Sequence, residues 1–215
     1  MKVSPIPFLL FSSIIFMLSS CGPSPYAFLR PASPAPVCLK TLEPDFNTVL
    51  YNTSVDVVGY HLSGLLLIKK MPDGSTRVVF TNEMGLTIFD FEFFENEFRS
   101  LHCIKKLNRT VVLRALRKDI GLLLQAGFDY KGVKYYKSDS ELYCGILDGT
   151  ETIYLITDIG CTNLKRIENA SKRKKKVIVN LINAGENLAD SVYIAHQGFE
   201  FNISLKKIHR KDAPQ

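Results

Sequence analysis

Hydrophobic and polar positions alternate along most of the chain from Asp45 onward, as they do in strands with one buried and one solvated face. Two long strands are predicted over Asp45 to Val58 and Tyr60 to Lys70, both rich in Val, Leu, Tyr and Thr. Pro72-Asp73-Gly74 then makes a turn, Pro presetting φ and Gly accepting positive φ. It leads to a strand over Thr76 to Thr81. In the next, Gly85 to Phe93, the residues Thr87, Phe89, Phe91 and Phe93 share one face, and Ile88, Asp90 and Glu92 share the other. Asn96 starts a turn, and Glu97 to Ile104 closes a first antiparallel run.

Between Asn108 and Gly127 the period becomes helical. Leu113, Leu116, Ile120, Leu123 and Leu124 fall on one side, with Arg114, Arg117, Lys118 and Gln125 opposite. Asn108 is the expected N-cap and Gly127 the expected stop. Strands resume over Gly132 to Lys137, Glu141 to Leu147, Glu151 to Thr157, Cys161 to Asn169, Lys175 to Asn183 and Phe199 to Ile208, with hairpin turns at Asp148-Gly149 and Asp158-Ile159-Gly160. The expected class is mainly β: an antiparallel meander of about eleven strands around one long amphipathic helix. So many antiparallel strands must curl into a barrel, a half-barrel or two packed sheets.

The N-terminus is different. Lys2 precedes an apolar run from Ile6 to Leu18, then Leu18-Ser19-Ser20-Cys21. A charged start, a short apolar stretch and small residues before a cleavage point describe a secretory signal. At roughly 13 residues the run is shorter than the ~20 a membrane-spanning helix needs. The segment resembles the lipobox of bacterial lipoproteins. In that family the Cys thiol receives a diacylglycerol, the signal is cut just before it, and the new amino group is acylated. The resemblance implies lipid attachment at Cys21 and a place in the cell envelope. Gly22 lacks the Asp that retains some such proteins at the inner membrane, which points to the outer one. The expected organisation is a signal over 1–20, a lipidated Cys and proline-rich tether over 21–38, one β-rich domain over 39–210 and a tail over 211–215. The tether is expected to hold the domain away from the bilayer.

A lipobox, a proline-rich tether and a meander interrupted by one amphipathic helix also resemble the outer-membrane lipoprotein receptor and periplasmic lipoprotein carrier fold. Ser63-Gly64-Leu65-Leu66-Leu67-Ile68-Lys69-Lys70, followed by the Pro-Asp-Gly turn, is similar to that family's early hairpin. Phe80-Thr81-Asn82-Glu83-Met84-Gly85-Leu86 resembles small lipoproteins of Bacteroidetes. The resemblance implies a half-open barrel with the helix packed on its concave side, and an apolar concavity able to hold acyl chains. Phe89, Phe91 and Phe93 on the sheet, with Leu116, Ile120 and Leu123 on the helix, are the expected lining; ordinary core is the competing reading of the same residues.

The net charge of +6 is modest, and Lys172-Arg173-Lys174-Lys175-Lys176 supplies five positive charges in one place. That distribution does not describe a nucleic-acid binder. A basic hairpin tip on a tethered protein is instead a candidate contact for anionic headgroups. None of His61, His102, His196 and His209 lies in a nucleophile-elbow motif. His102 and Cys103 are adjacent and on a strand point to opposite faces, and the chain has no Cys-x-x-Cys. No metal or other cofactor is implied. Apart from Cys21, four cysteines allow three complete pairings; a Cys144–Cys161 disulfide and free buried thiols both remain open. The expectation is a non-enzymatic envelope protein that binds an acyl chain, another amphiphile or a lipoprotein. The alternative is an accessory subunit with a filled core and an envelope protein as partner, and an envelope hydrolase ranks last.

Overall fold

The alternating segments become thirteen strands and one helix in a computed structural model, which describes residues 24–33, 42–57, 59–184 and 188–209. The expected signal, Cys21 with its acylation, Cys38 and the C-terminal tail lie outside the described residues. The elements are β1 (Arg30–Pro31), β2 (Thr48–Val57), β3 (Tyr60–Lys70), β4 (Thr76–Asn82), β5 (Thr87–Phe94), β6 (Glu97–Cys103), α1 (Thr110–Leu124), β7 (Lys134–Lys137), β8 (Glu141–Asp148), β9 (Glu151–Asp158), β10 (Leu164–Ala170), β11 (Lys175–Ile182), β12 (Ser191–His196) and β13 (Phe201–Lys207). All strands belong to one antiparallel sheet in the order β1-β7-β8-β9-β10-β11-β12-β13-β2-β3-β4-β5-β6. Two meanders, β2 to β6 and β7 to β13, are joined where β13 pairs with β2 from Phe201↔Val57 to Lys207↔Tyr51. The sheet does not close, and α1 links the edge strand β6 to β7 across the opening. This is the expected half-open barrel with one helix on its concave side.

The helix is held by its apolar stripe. Leu116, Ile120, Leu122 and Leu123 are buried in the same core as Ile68, Val78, Phe80, Phe91, Leu155, Ile167, Val179 and Ile194 of the sheet. Arg109 takes the N-cap position that Asn108 was expected to hold, without a side-chain cap. At the other end Gln125 is left-handed at φ 52°. Its side chain, expected on the polar face, is buried: the amide donates to the Leu42 carbonyl at 2.6 Å and accepts from the Tyr130 hydroxyl at 2.5 Å.

Two strands lack a counterpart in the sequence reading. β12 completes a hairpin with β13, and His196 is its last residue. β1 lies within the stretch expected to be a free tether, and the structure corrects that expectation for residues 24–33. Proline is tolerated at a sheet edge, and Arg30–Pro31 pairs with Lys137 and Tyr136. Tyr26 is 9% exposed, its ring 4.1 Å from that of Tyr154, and Phe28 meets Tyr143 edge-on. The Tyr26 hydroxyl donates to Glu168 at 2.6 Å. Glu168, itself buried, also pairs with Arg166 at 3.0 Å and Lys175 at 2.8 Å. Arg166 in turn grips Glu141 through two bonds of 3.0 and 2.9 Å. The N-terminal arm is thus clamped over the tyrosines of β7, β8 and β9, on the face of the sheet opposite the main core.

A hydrogen bond to a charged group contributes roughly 1.5–3 kcal/mol, so Tyr26→Phe is expected to lower unfolding free energy by about 2 kcal/mol in urea titrations. An unchanged midpoint would mean that the arm is not docked in solution.

Ile88 is also placed differently. Alternation puts it on the face of β5 that carries Asp90 and Glu92, yet it is buried, because Phe80↔Phe89 is followed by Thr81↔Thr87 and Ile88 is the extra residue of a bulge. Asp90 and Glu92 keep the outward positions expected of them, Asp90 accepting two bonds of 2.6 Å from Arg77 and Glu92 facing Arg99 at 3.6 Å.

Candidate functional site

The six residues expected to line a cavity meet, but as packed core. Phe89, Phe91, Phe93, Leu116, Ile120 and Leu123 are 0–6% exposed, and the Phe89 and Phe91 rings stack at 4.3 Å. Phe93 alone of the six also reaches an open cleft, of about 570 Å³, between the β5–β6 turn, the C-terminal half of α1 and the β8–β9 turn. That cleft carries charges of both signs, among them Glu95, Glu97, Arg117 and Asp129.

A second cleft, of about 480 Å³, lies at the other end of the helix. The N-terminal half of α1 provides Val111, Arg114, Ala115 and Lys118. The β10–β11 hairpin provides Asn169 and Lys174 to Val177, and the β12–β13 hairpin provides His196 to Phe199. Val111 and Phe199 are exposed at 68% and 44%, so the apolar surface meets solvent. Phe199 is held in place by stacking against Phe201 at 6.0 Å and by contact with the His196 ring at 4.6 Å.

Much of the cationic side of this cleft is internally neutralised. Glu151 accepts from Lys176 and lies 3.7 Å from Lys118, which also pairs with Asp148. Burial raises the Glu151 carboxyl, but the bond from Lys176, the nearby Asn169 amide and the charge of Lys118 outweigh it and hold the group below its ordinary value. The Asn169 carboxamide is 1% exposed and leans on Glu151, while its nitrogen has no hydrogen-bond partner of ordinary geometry among the described residues. A buried donor left this way is costly.

His196 is the only one of the four histidines in the lining. Its Nε2 lies 2.9 and 3.0 Å from the two carboxylate oxygens of Asp119, which is fully buried. Burial raises the Asp119 carboxyl, and His196 opposes the rise. The pair joins α1 to β12. The cleft lining contains no serine, threonine or cysteine that this histidine could activate. His61 meets Asp56 at 2.6 Å and His209 meets Asp190 at 3.5 Å, both at the surface, and His102 faces the Thr87 carbonyl at 3.2 Å. Among the described residues no group of three or more His, Cys, Asp or Glu is placed to hold a metal ion, and no helix is long and apolar enough to cross a membrane.

The basic run divides. Lys175 is committed to Glu168 and lies 5.4 Å from the Tyr26 ring centroid, and Lys176 is committed to Glu151. Lys172, Arg173 and Lys174 are exposed at the tip and have no ion pair among the described residues.

The Cys144–Cys161 pairing is corrected. Cys144 is a free, fully buried thiol pushed up to about 11 by burial, and Cys103 is also free. Cys161 is disulfide-bonded elsewhere. Cys144 pairs with Leu155 in mid-strand, three residues inside the Glu141↔Asp158 end of the hairpin, and Cys161 lies beyond that end. Three residues of strand cover about 10 Å, more than the ~7 Å a disulfide spans between Cα atoms.

The Asp119–His196 contact spans 77 positions and has no local sequence signature. The helix periodicity alone could have found Asp119, since it lies between Leu116 and Ile120 on the buried side. No protein-family model matches the chain, and no curated protein is significantly similar to it.

Proposed function

We propose that this chain is a lipid-anchored cell-envelope protein that binds the apolar part of an amphiphile without catalysing its conversion, in the cleft between α1 and the β10–β11 and β12–β13 hairpins. The observation that carries the reading is the division of that cleft. Val111, Ala115, Val177 and Phe199 supply an apolar surface, and Arg114 and Lys174, exposed at its rim, add positive charge beyond the lysines already paired with Glu151, Asp148 and Glu168. Its volume of about 480 Å³ falls within the ~300–1,000 Å³ of small-molecule sites. On this reading the ligand lies outside the phenylalanine core, whose concave side α1 already occupies.

The anchor supports the same reading from the sequence. Leu18-Ser19-Ser20-Cys21 has the form of an acylation site, and two or more acyl chains give stable membrane attachment. Gly22 favours the outer membrane.

The test is native mass spectrometry of the full chain after gentle extraction. An acyl-bearing ligand is expected to copurify, and Phe199→Glu, which sets a charge in the apolar surface, is expected to reduce its occupancy at least tenfold without unfolding an already exposed position. A ligand-free spectrum for the unsubstituted chain would overturn the reading. The filled core beneath the helix would then favour an accessory subunit, whose partner would appear on crosslinking in the membrane.

A further inference from the structure

We infer that the tip of the β10–β11 hairpin and the N-terminal arm docked beside it form one membrane-facing surface, whose partner is a bilayer carrying anionic headgroups. The inference deepens the anchoring reading and rests on it for the acyl chain, but the charge contact stands without it.

Three observations converge. The arm is not a spacer: Ser24 opens a turn closed by Ala27 N donating to the Ser24 carbonyl at 3.1 Å, and Tyr26 is fixed in the sheet by Glu168. Cys21 precedes Ser24 by three residues, which reach about 11 Å at full extension. An acyl chain at Cys21 therefore brings the body close to the bilayer. The side it brings down is set by Tyr26, whose ring lies 5.4 Å from Lys175 Nζ at the base of the hairpin.

The hairpin tip is also built to stand out. The Ser171 amide donates to the Lys174 carbonyl at 3.0 Å, and the Ser171 hydroxyl accepts from the Arg173 and Lys174 amides at 3.4 and 3.2 Å. That turn presents Lys172, Arg173 and Lys174 together, and all three are exposed. Of the five basic residues, Lys175 and Lys176 already neutralise Glu168 and Glu151. The other three have no such partner, and anionic headgroups supply the missing charge. Together they favour the docked orientation on the order of 100-fold. Because Lys174 to Lys176 also line the cleft, docking sets its mouth at the headgroup layer, so that an amphiphile enters from the bilayer and need not cross water.

The experiment uses the full chain as purified from membranes, reconstituted into discs of phosphatidylcholine alone or with phosphatidylglycerol, and reads hydrogen exchange of the 171–176 amides. Exchange is expected to slow at least threefold on the anionic discs and to recover at about 0.5 M salt, where screening shortens to a few ångströms. Lys172→Gln/Arg173→Gln/Lys174→Gln, which leaves the Glu168 and Glu151 pairs intact, is expected to abolish the slowing. Equal exchange on both discs, or slowing that persists in the triple variant, overturns the inference. The intact mass of the Cys21 segment reports acylation separately. If it carries no lipid, the anchoring reading falls, and the surface is tested by sedimentation of the chain with the same lipids as vesicles. Retention by phosphatidylglycerol that is lost with salt and in the triple variant upholds the surface, and no retention overturns it.

Discussion

Replacing His196 with alanine is expected to cost the fold about 3–5 kcal/mol at neutral pH, the usual penalty for stripping a buried charge of its partner. Asp119 is fully buried, and the only hydrogen bonds its carboxylate makes among the described residues come from His196. The alanine also removes the ring that packs against Phe199 and Phe201 at 4.6 and 5.1 Å, so part of the loss is apolar. The two contributions separate by pH. Burial raises Asp119 above its ordinary value near 4, and a raised folded-state pKa gives stability that is present below the unfolded value and lost as pH rises through the folded one. With His196 gone only the charge of Lys118 opposes the rise, so the deficit of the variant should shrink as pH is lowered from 7 toward 5. Urea titrations at several pH values read this directly. A deficit independent of pH would assign the loss to packing alone. The double substitution Asp119→Leu/His196→Phe should recover most of the stability, because apolar replacement of a buried ion pair is often neutral or better.

Gly64→Ala is expected to destabilise the protein by about 3 kcal/mol or more, at the upper end for overpacking. Gly64 pairs with Thr53 on β2 and Asn82 on β4. A Cβ there would lie 1.9 Å from the Thr81 carbonyl oxygen and 2.8 Å from the Asn82 Cα. Both are backbone atoms of a strand fixed on its other side by β5, so no rotamer change relieves the overlap. The close strand approach is the main cause of the effect. The measurement is the midpoint of thermal or urea unfolding, with Gly198→Ala as a comparison, since a Cβ at Gly198 meets nothing within 4 Å and its backbone is not in the left-handed region. Equal losses in the two variants would show that contact with β4 is not the cause.

What the sequence made legible follows from where the physical signals are local. The helix was readable because Leu116, Ile120 and Leu123 recur at its period over about two turns, and most strands because alternation survives on them. β1 was not, because a proline-rich stretch argues against sheet; what places it there is tertiary, Tyr26 on Glu168 and the tyrosines beneath. Ile88 was assigned to the wrong face because a bulge breaks the alternation from which faces are read. The same holds for the site. A phenylalanine row identifies an apolar face, but whether that face lines a cavity depends on how closely the helix packs against it, and here it packs fully. The cleft that does open is assembled from three separate stretches of chain, and its Asp119–His196 link joins residues far apart in sequence.

The pairing of β13 with β2 carries a consequence for how the molecule comes together. Every other neighbouring pair in the sheet except β1–β7 is a hairpin between consecutive strands, which can form as soon as its few residues meet. The β13–β2 ladder instead joins segments separated by about 150 residues, at a loop-closure cost of roughly 4 kcal/mol beyond a constant. The two meanders are therefore semi-independent until that ladder forms. During synthesis β2 waits with one edge unpaired until β13 emerges, and this places the period of greatest exposure to mispairing between the synthesis of those two strands.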